Sequence, residues 1–260
     1  MILVKTPIRI TFFGGGSDYP AYFKKNGGRT LGLTIDKYCY IAVNKSSVFS
    51  EKKFFVGYSK VEKVNSINLI KHPSVKACLK YMSLENERLQ IHYFADLPAK
   101  TGLGSSSAFT VSLLKALYKF KKKKINNIEL AKKAIEVEQK IIKENVGCQD
   151  QITTSVGGLL DINYYINNKF KINKNFINKK KISDLCSNLV LYYSGFDRFA
   201  SRVLEDQIKN IEKGKNDLIL NQMVNFCEKA ILILKKNKKF DEIGKMFNKN
   251  WELKKNYQKM

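Results

Sequence analysis

The sequence predicts an α+β fold in two parts, and three observations lead there. The first half of the 260 residues mixes extended β-branched and aromatic runs with a few helical patterns. The chain after Arg198 is almost wholly helical in pattern. A length of 260 residues accommodates one large domain or two moderate ones with ample core.

Taken in order, Val4 to Phe13 reads as a strand that Gly14-Gly15-Gly16 breaks, and Asn26-Gly27-Gly28 turns the chain into a second strand over Thr30 to Val43. Ser74 to Met82 reads as a short helix and Arg88 to Ala95 as a strand. A glycine- and serine-rich loop follows, then an apolar helical pattern from Ala108 to Tyr118 and a second helix from Ile128 to Lys143. Gly157 to Ile162 and Leu189 to Tyr193 read as further strands, with the Asn163 to Lys181 stretch as a hairpin or boundary region. Three helices are expected over 198–213, 217–236 and 240–258. The last runs to Met260 with no C-cap or closing strand.

The loop Pro98-Ala99-Lys100-Thr101-Gly102-Leu103-Gly104-Ser105-Ser106-Ser107-Ala108 is the most informative stretch. Glycine lets the backbone turn its N–H groups into a small cavity. A helix N-terminus adds unpaired donors and about half a positive charge, so the layout suits phosphate. It is not a Walker A loop, because no Lys-Ser or Lys-Thr pair follows the second glycine. A plain glycine turn with a serine cap is the alternative.

A carboxylate lies in the wrong place on the second helix. At about 100° per residue, Leu130, Ala131, Ala134, Ile135, Val137, Ile141 and Ile142 share one face. Glu138 falls in the middle of that face. A buried carboxylate is costly unless paired or bound to metal. A salt bridge to a neighbouring helix is one solution; Mg²⁺, which favours carboxylate, hydroxyl and phosphate oxygens, is the other. Asp150, in the polar turn ahead of Ile152, is either a helix N-cap or a group that accepts a proton from a hydroxyl.

The charge of +24 invites a nucleic-acid reading. Only five of the 47 basic residues are arginine, however, and lysine is dispersed along the chain with asparagine and isoleucine. Nucleic-acid binders concentrate charge and use arginine for bidentate contacts. The runs Lys121–Lys124, Lys179–Lys181 and Lys235–Lys239 read as solvated ends of helices or strands, and no nucleic-acid partner is expected. The five cysteines are dispersed without a C-x-x-C, as in a reduced cytoplasmic protein. The start of the chain lacks a signal-peptide pattern, and no apolar run approaches the roughly 20 residues that span a bilayer.

Three segments together resemble the GHMP kinase superfamily, named for galactokinase, homoserine kinase, mevalonate kinase and phosphomevalonate kinase. The first is Thr6-Pro7-Ile8-Arg9-Ile10-Thr11-Phe12-Phe13-Gly14-Gly15-Gly16-Ser17-Asp18-Tyr19-Pro20, the second the Pro98–Ala108 loop, and the third Glu136-Val137-Glu138-Gln139 with Gly147-Cys148-Gln149-Asp150-Gln151. The triple glycine with Ser-Asp, the Thr34 to Ile41 strand and the Asp-Gln pair resemble the D-glycero-D-manno-heptose 7-phosphate kinase branch in particular. Galactokinase and fucokinase relatives are the nearest competitors.

That resemblance implies a ribosomal protein S5 domain 2-like N-terminal domain over 1–185 and a ferredoxin-like C-terminal domain over 186–260. It implies ATP and Mg²⁺ as cofactors and a sugar or sugar phosphate as the small-molecule substrate, phosphorylated at its anomeric hydroxyl. Pro98 and Gly102, Leu103, Gly104, Ser105, Ser106 and Ser107 would bind ATP, with backbone amides cradling the phosphates. Ser106 and Glu138 would hold Mg²⁺, with Ser105 as the alternative hydroxyl. Asp150 would be the catalytic base and Arg9 would stabilise developing charge. Arg9, Gly15, Gly16, Ser17 and Asp18 would face the substrate. Family members carry a further glycine-rich motif after a tryptophan-containing helix; here Trp251 lies in such a helix and the sequence reaches Met260 without it. An incomplete C-terminal domain, with turnover lost and nucleotide binding kept as one consequence, is therefore expected. The sequence gives no oligomeric state.

Overall fold

The long strands expected at the start of the chain form the frame of the protein. A computed structural model describes residues 1–98, 101–192, 208–236 and 240–259, without the side chains of 258 and 259. Strand β1 spans Ile2–Phe13 and β2 spans Gly28–Lys45, and the two pair with each other. Both pass through two compact units that interleave in sequence. The first comprises Met1–Arg9, Ile35–Val146 and Asp150–Val156; the second comprises Ile10–Thr34, Gly147–Gln149 and Gly157–Met260.

In the first unit the later half of β2 alternates buried Cys39, Ile41 and Val43 with less buried neighbours, the period-2 pattern of a half-buried strand. It pairs antiparallel with β5 (Leu89–Ala95), from Cys39 opposite Ala95 to Lys45 opposite Leu89. Strand β3 (Phe54–Gly57) runs parallel to β5 and antiparallel to β4 (Val61–Val64). Helix α2 (Pro73–Tyr81), opened by Pro73, supplies the crossover a parallel pair requires. Helix α3 (Ser105–Phe120) buries Ala108, Val111, Leu114 and Leu117 in the main apolar core with residues of α2 and β5.

Helix α4 (Asn127–Glu136) starts at a reciprocal capping box between Asn126 and Glu129. The predicted single helix over 128–143 is in fact two kinds of helix. From Val137 to Ile142 the backbone widens into a π-helical turn, which ends at Lys143 in the left-handed region (φ 62°). Such turns are rare and cluster at functional sites. Helix α5 spans Gln149–Val156, and its Asp150–Val156 part belongs to this unit.

In the second unit the first half of β2 pairs antiparallel with β6 (Leu159–Tyr164), Gly28 opposite Tyr164, and β6 forms a hairpin with β7 (Phe170–Asn173). This is the hairpin expected within Asn163 to Lys181. Helix α1 (Pro20–Asn26), α6 (Lys179–Ser187), α7 (Asp217–Lys235) and α8 (Asp241–Lys259) complete the unit. Phe12 and Phe13 pack with Leu31, Leu159, Ile231 and Met246 in its core. Among the described residues no helix is long and apolar enough to cross a membrane.

Three local expectations need correction. Leu189 to Tyr192 forms no strand: Val190 is 77% and Tyr192 87% exposed, so the apolar run has no sheet to bury it. Tyr193 and positions 198–207 of the first expected C-terminal helix lie outside the described residues. Lys179–Lys181 opens α6 instead of ending an element, capped by the Asn178 side chain, which accepts from the Lys181 amide at 2.9 Å. Asp150 sits in the first turn of α5, not in the loop before it.

Candidate active site

In the first unit the glycine–serine loop ends on Gly104, which has φ 74° and opens α3 without any side-chain cap. An L side chain there would be strained, and its Cβ would lie 3.2 Å from the Arg9 side chain and 3.3 Å from Asp150 Oδ2. The first turn of a helix has N–H groups with no intrahelical acceptor. Gly104 carries no side chain to supply one, so an anion fits the α3 N-terminus. The Lys100 and Ala99 positions of the loop lie outside the described residues.

Strand β1 carries Arg9 to this loop. Its backbone amide donates to the Leu103 carbonyl at 3.1 Å, and its Nη1 donates to the Gly102 carbonyl at 3.0 Å. The rest of the guanidinium grips Asp150: Nε donates to Oδ1 at 2.7 Å and Nη2 to Oδ2 at 2.6 Å. This two-pronged contact is the strong geometry for arginine and carboxylate. Asp150 Oδ1 and Oδ2 each keep a second lone pair for another donor.

Glu138, in the π-helical turn, is 1% exposed, as its place on the apolar face predicts. The salt bridge weighed from the sequence does not form: among the described residues no lysine or arginine pairs with it. Its Oε2 accepts from Ser107 Oγ at 2.9 Å and from the Gln151 side-chain amide. The Thr110 hydroxyl lies close as well, within reach of the Ser106 carbonyl at 3.3 Å. Oε1 is buried and has no hydrogen-bond partner among the described residues. Burial pushes this carboxyl up to about 7, against the opposing pull of Thr110, Gln151 and Ser107. A divalent cation fits such an oxygen, since it would supply the positive charge that no described side chain provides. Among the described residues no group of three or more His, Cys, Asp or Glu gathers, so further ligands would be hydroxyls or ligand oxygens. Ser106 is exposed at the start of α3, while its neighbour Ser107 is the serine that touches Glu138.

The second unit holds the glycine-rich turn after β1. Ser17 Oγ donates to the Gly14 carbonyl at 2.7 Å and accepts from the Arg29 amide at 3.1 Å, closing the turn. Asp18 is 1% exposed, and its carboxylate is spent on backbone amides: Oδ1 accepts from Gly16 at 3.0 Å and Oδ2 from Gln149 at 3.1 Å. Gly147 comes so close that a Cβ would lie 1.8 Å from Asp18 Oδ2. The Gln149 side chain accepts from Thr11 Oγ1 at 2.8 Å. Gly15, Gly16, Ser17 and Asp18 are thus brought together with Gly147–Gln149.

Two contributors escape sequence reasoning. Gln151 is fully buried with its amide on Glu138, and Thr11 fixes the Gln149 side chain. Both lie in the motif segments that carry the resemblance, but nothing in the sequence assigns either of them a role.

Residues 68–158, which include the loop, Glu138 and Asp150, match the family model of the GHMP kinases N terminal domain. This segment is a GHMP kinase N-terminal domain. The D-glycero-alpha-D-manno-heptose 7-phosphate kinase of Campylobacter jejuni subsp. jejuni is 26% identical over 274 residues, covering 98% of this chain and 77% of that protein. The mevalonate kinase of Methanocaldococcus jannaschii is 25% identical, covering 97% and 79%. Among solved structures, a D-glycero-D-manno-heptose 1-phosphate kinase from Bacteroides thetaiotaomicron superposes with a TM-score of 0.80 at 22% identity, over 98% of this chain and 79% of that one. The fold of this chain is therefore the GHMP kinase fold.

Proposed function

We propose that this protein is an ATP- and Mg²⁺-dependent kinase that phosphorylates the anomeric hydroxyl of a sugar or sugar phosphate, with D-glycero-D-manno-heptose 7-phosphate as the favoured acceptor. One observation carries the reading: the Arg9 guanidinium bonds both the Gly102 carbonyl of the phosphate loop and the Asp150 carboxylate. A single side chain thus ties the anion site to the base. The similarity to a named heptose 7-phosphate kinase supports the choice of acceptor.

Phosphoryl transfer asks chiefly for positioning and charge neutralisation. In this reading the backbone amides of Gly102–Ser107 hold the nucleotide phosphates, with Pro98 leading into the loop. Asp150 accepts the proton of the acceptor hydroxyl on a lone pair that Arg9 leaves open. Arg9 keeps that carboxylate oriented while its positive charge offsets the charge developing on the transferred group. Ser106 and Glu138 hold Mg²⁺, which when bound neutralises the phosphate oxygens. In the second unit Gly15, Gly16 and Ser17 form the substrate turn. Asp18 acts there chiefly by holding the amides of Gly16 and Gln149. The expected cytoplasmic location and the 185/186 domain boundary belong to this same reading; α6 crosses that boundary as one continuous helix.

The test is ADP release by the full chain with ATP and Mg²⁺ against a panel of heptose 7-phosphate, galactose and fucose. Release that depends on heptose 7-phosphate supports the proposal. Release with another sugar alone reassigns the acceptor, and nucleotide binding without release under any acceptor refutes a kinase.

A further inference from the structure

The two sides of the Glu138 carboxylate are treated differently. Oε2 accepts from Ser107 and Gln151, while Oε1, equally buried, has no hydrogen-bond partner among the described residues. Both donors are neutral. A lysine or arginine in either place would satisfy the carboxylate with its own charge and leave nothing for a ligand to gain. Gln151 is itself fully buried, and its own side-chain oxygen Oε1 also lacks a partner. Two adjacent buried side chains therefore present acceptor oxygens that no described residue bonds. Native interiors rarely leave such atoms unmet without an ion or water to meet them.

The local fold explains how this comes about. Glu138 lies in the π-helical turn with its side chain buried. Gln151 lies in the first turn of α5, directly after Asp150. A carboxylate free to rotate would exchange its two oxygens; one gripped on Oε2 by two donors cannot. We propose that Gln151 is a positioning residue for a divalent-cation site, holding Glu138 by Oε2 together with Ser107 so that Oε1 is presented to the cation. Gln151 touches neither the acceptor nor the nucleotide in this role; it acts through Glu138. Its own free Oε1 can accept from a water that the cation retains, as Mg²⁺ commonly keeps several. This inference rests on the cation reading of the proposed function and adds to it the residues that orient the ligand.

Residues that orient a metal ligand typically change metal affinity by about 10–100-fold when removed. The experiment is a Mn²⁺ titration followed by electron paramagnetic resonance of the full chain, with and without a non-hydrolysable ATP analogue. It compares wild type, Gln151→Met, which keeps the side-chain length but neither polar end, and Ser107→Ala. Analogue affinity in metal-free buffer and thermal melting are measured alongside. The expected result is Mn²⁺ binding about 10–100-fold weaker in Gln151→Met with metal-free analogue affinity unchanged, and weaker Mn²⁺ binding in Ser107→Ala as well. Should Gln151→Met not fold, weaker Mn²⁺ binding in Ser107→Ala carries the same support. Unchanged Mn²⁺ affinity in folded variants, with or without a lower melting point, overturns the positioning role while leaving the cation site intact. Wild type that binds no more Mn²⁺ than the analogue alone overturns the cation reading itself, and the positioning role with it.

Discussion

Arg9 clasps Asp150 through two parallel hydrogen bonds, Nε to Oδ1 at 2.7 Å and Nη2 to Oδ2 at 2.6 Å, while its third nitrogen holds the Gly102 carbonyl. The side chains are 12% and 24% exposed, so the pair is partly shielded from water. Its value is geometric: a residue of β1 and a residue of α5 are locked to the loop that opens α3. Such a lock contributes little to stability beyond a partly exposed ion pair, but it sets the position of the carboxylate proposed as the base.

Replacing Asp150 with Asn removes the proposed base and keeps the shape. Turnover is expected to fall by about 10²–10⁴-fold, the usual contribution of general-base catalysis. Far-UV circular dichroism and nucleotide affinity stay close to wild type. Steady-state kinetics beside a binding titration separates the two effects, and near-normal turnover removes Asp150 from the role.

Arg9→Lys keeps the charge but loses the fork. One ammonium cannot meet Asp150 at both oxygens and Gly102 at once. Turnover is expected to drop by at least about tenfold, with nucleotide affinity also reduced because the loop loses a tether, each about 1 kcal/mol or more in effect. Kinetics as a function of ATP concentration reads both changes.

Glu138 makes metal-free stability depend on pH in a stated direction. Its folded pKa is raised by burial from 4.5 to about 7, so the folded state binds the proton more tightly than the unfolded state. The contribution is most favourable below about pH 4.5, declines as pH rises towards 7 and is level above. Between pH 5 and 8 wild type should lose about 2–3 kcal/mol relative to Glu138→Gln. Urea denaturation of both proteins in chelator at the two pH values measures the difference. A constant gap means that the carboxyl titrates normally.

Gly147 is required by proximity. A Cβ there would meet Asp18 Oδ2 at 1.8 Å, so Gly147→Ala must displace the Asp18 carboxylate from the Gly16 and Gln149 amides. A loss of about 1–3 kcal/mol is expected from the overpacking. In a double-mutant cycle with Asp18→Ala, whose smaller side chain removes the clash, the two costs should fall well short of additive. Additive losses in chemical denaturation contradict the close approach.

Long, strongly patterned elements were legible in the sequence for physical reasons. β1 and β2 carry β-branched and aromatic residues over many positions, and α7 and α8 repeat apolar side chains at helical spacing. β3 and β4 are four residues each, too short for a period to show. The Leu189 run misleads because apolar composition does not guarantee a partner surface, and Val190 and Tyr192 remain exposed.

The site follows the same division. Glu138 stands out because a helical wheel reports burial, and a charge at a buried position is conspicuous. The loop stands out because two glycines and three serines in a row are unusual before an apolar helix. Gln151 does not stand out: a buried carboxamide looks like any polar residue of a turn, and its partner lies 13 positions earlier in a π-helical turn that sequence periodicity reads as an ordinary helix. Asp18 presents the reverse case, conspicuous in its motif yet committed to backbone amides.

The central claim is transfer of phosphate from ATP to an anomeric hydroxyl with Asp150 as base. The most direct measurement is ³¹P nuclear magnetic resonance of the full chain incubated with ATP, Mg²⁺ and D-glycero-D-manno-heptose 7-phosphate, with Asp150→Asn in parallel. The account predicts a new anomeric phosphate resonance growing in step with ADP in wild type and absent in the variant. No sugar 1-phosphate from folded, nucleotide-binding wild type, or equal product from Asp150→Asn, contradicts it.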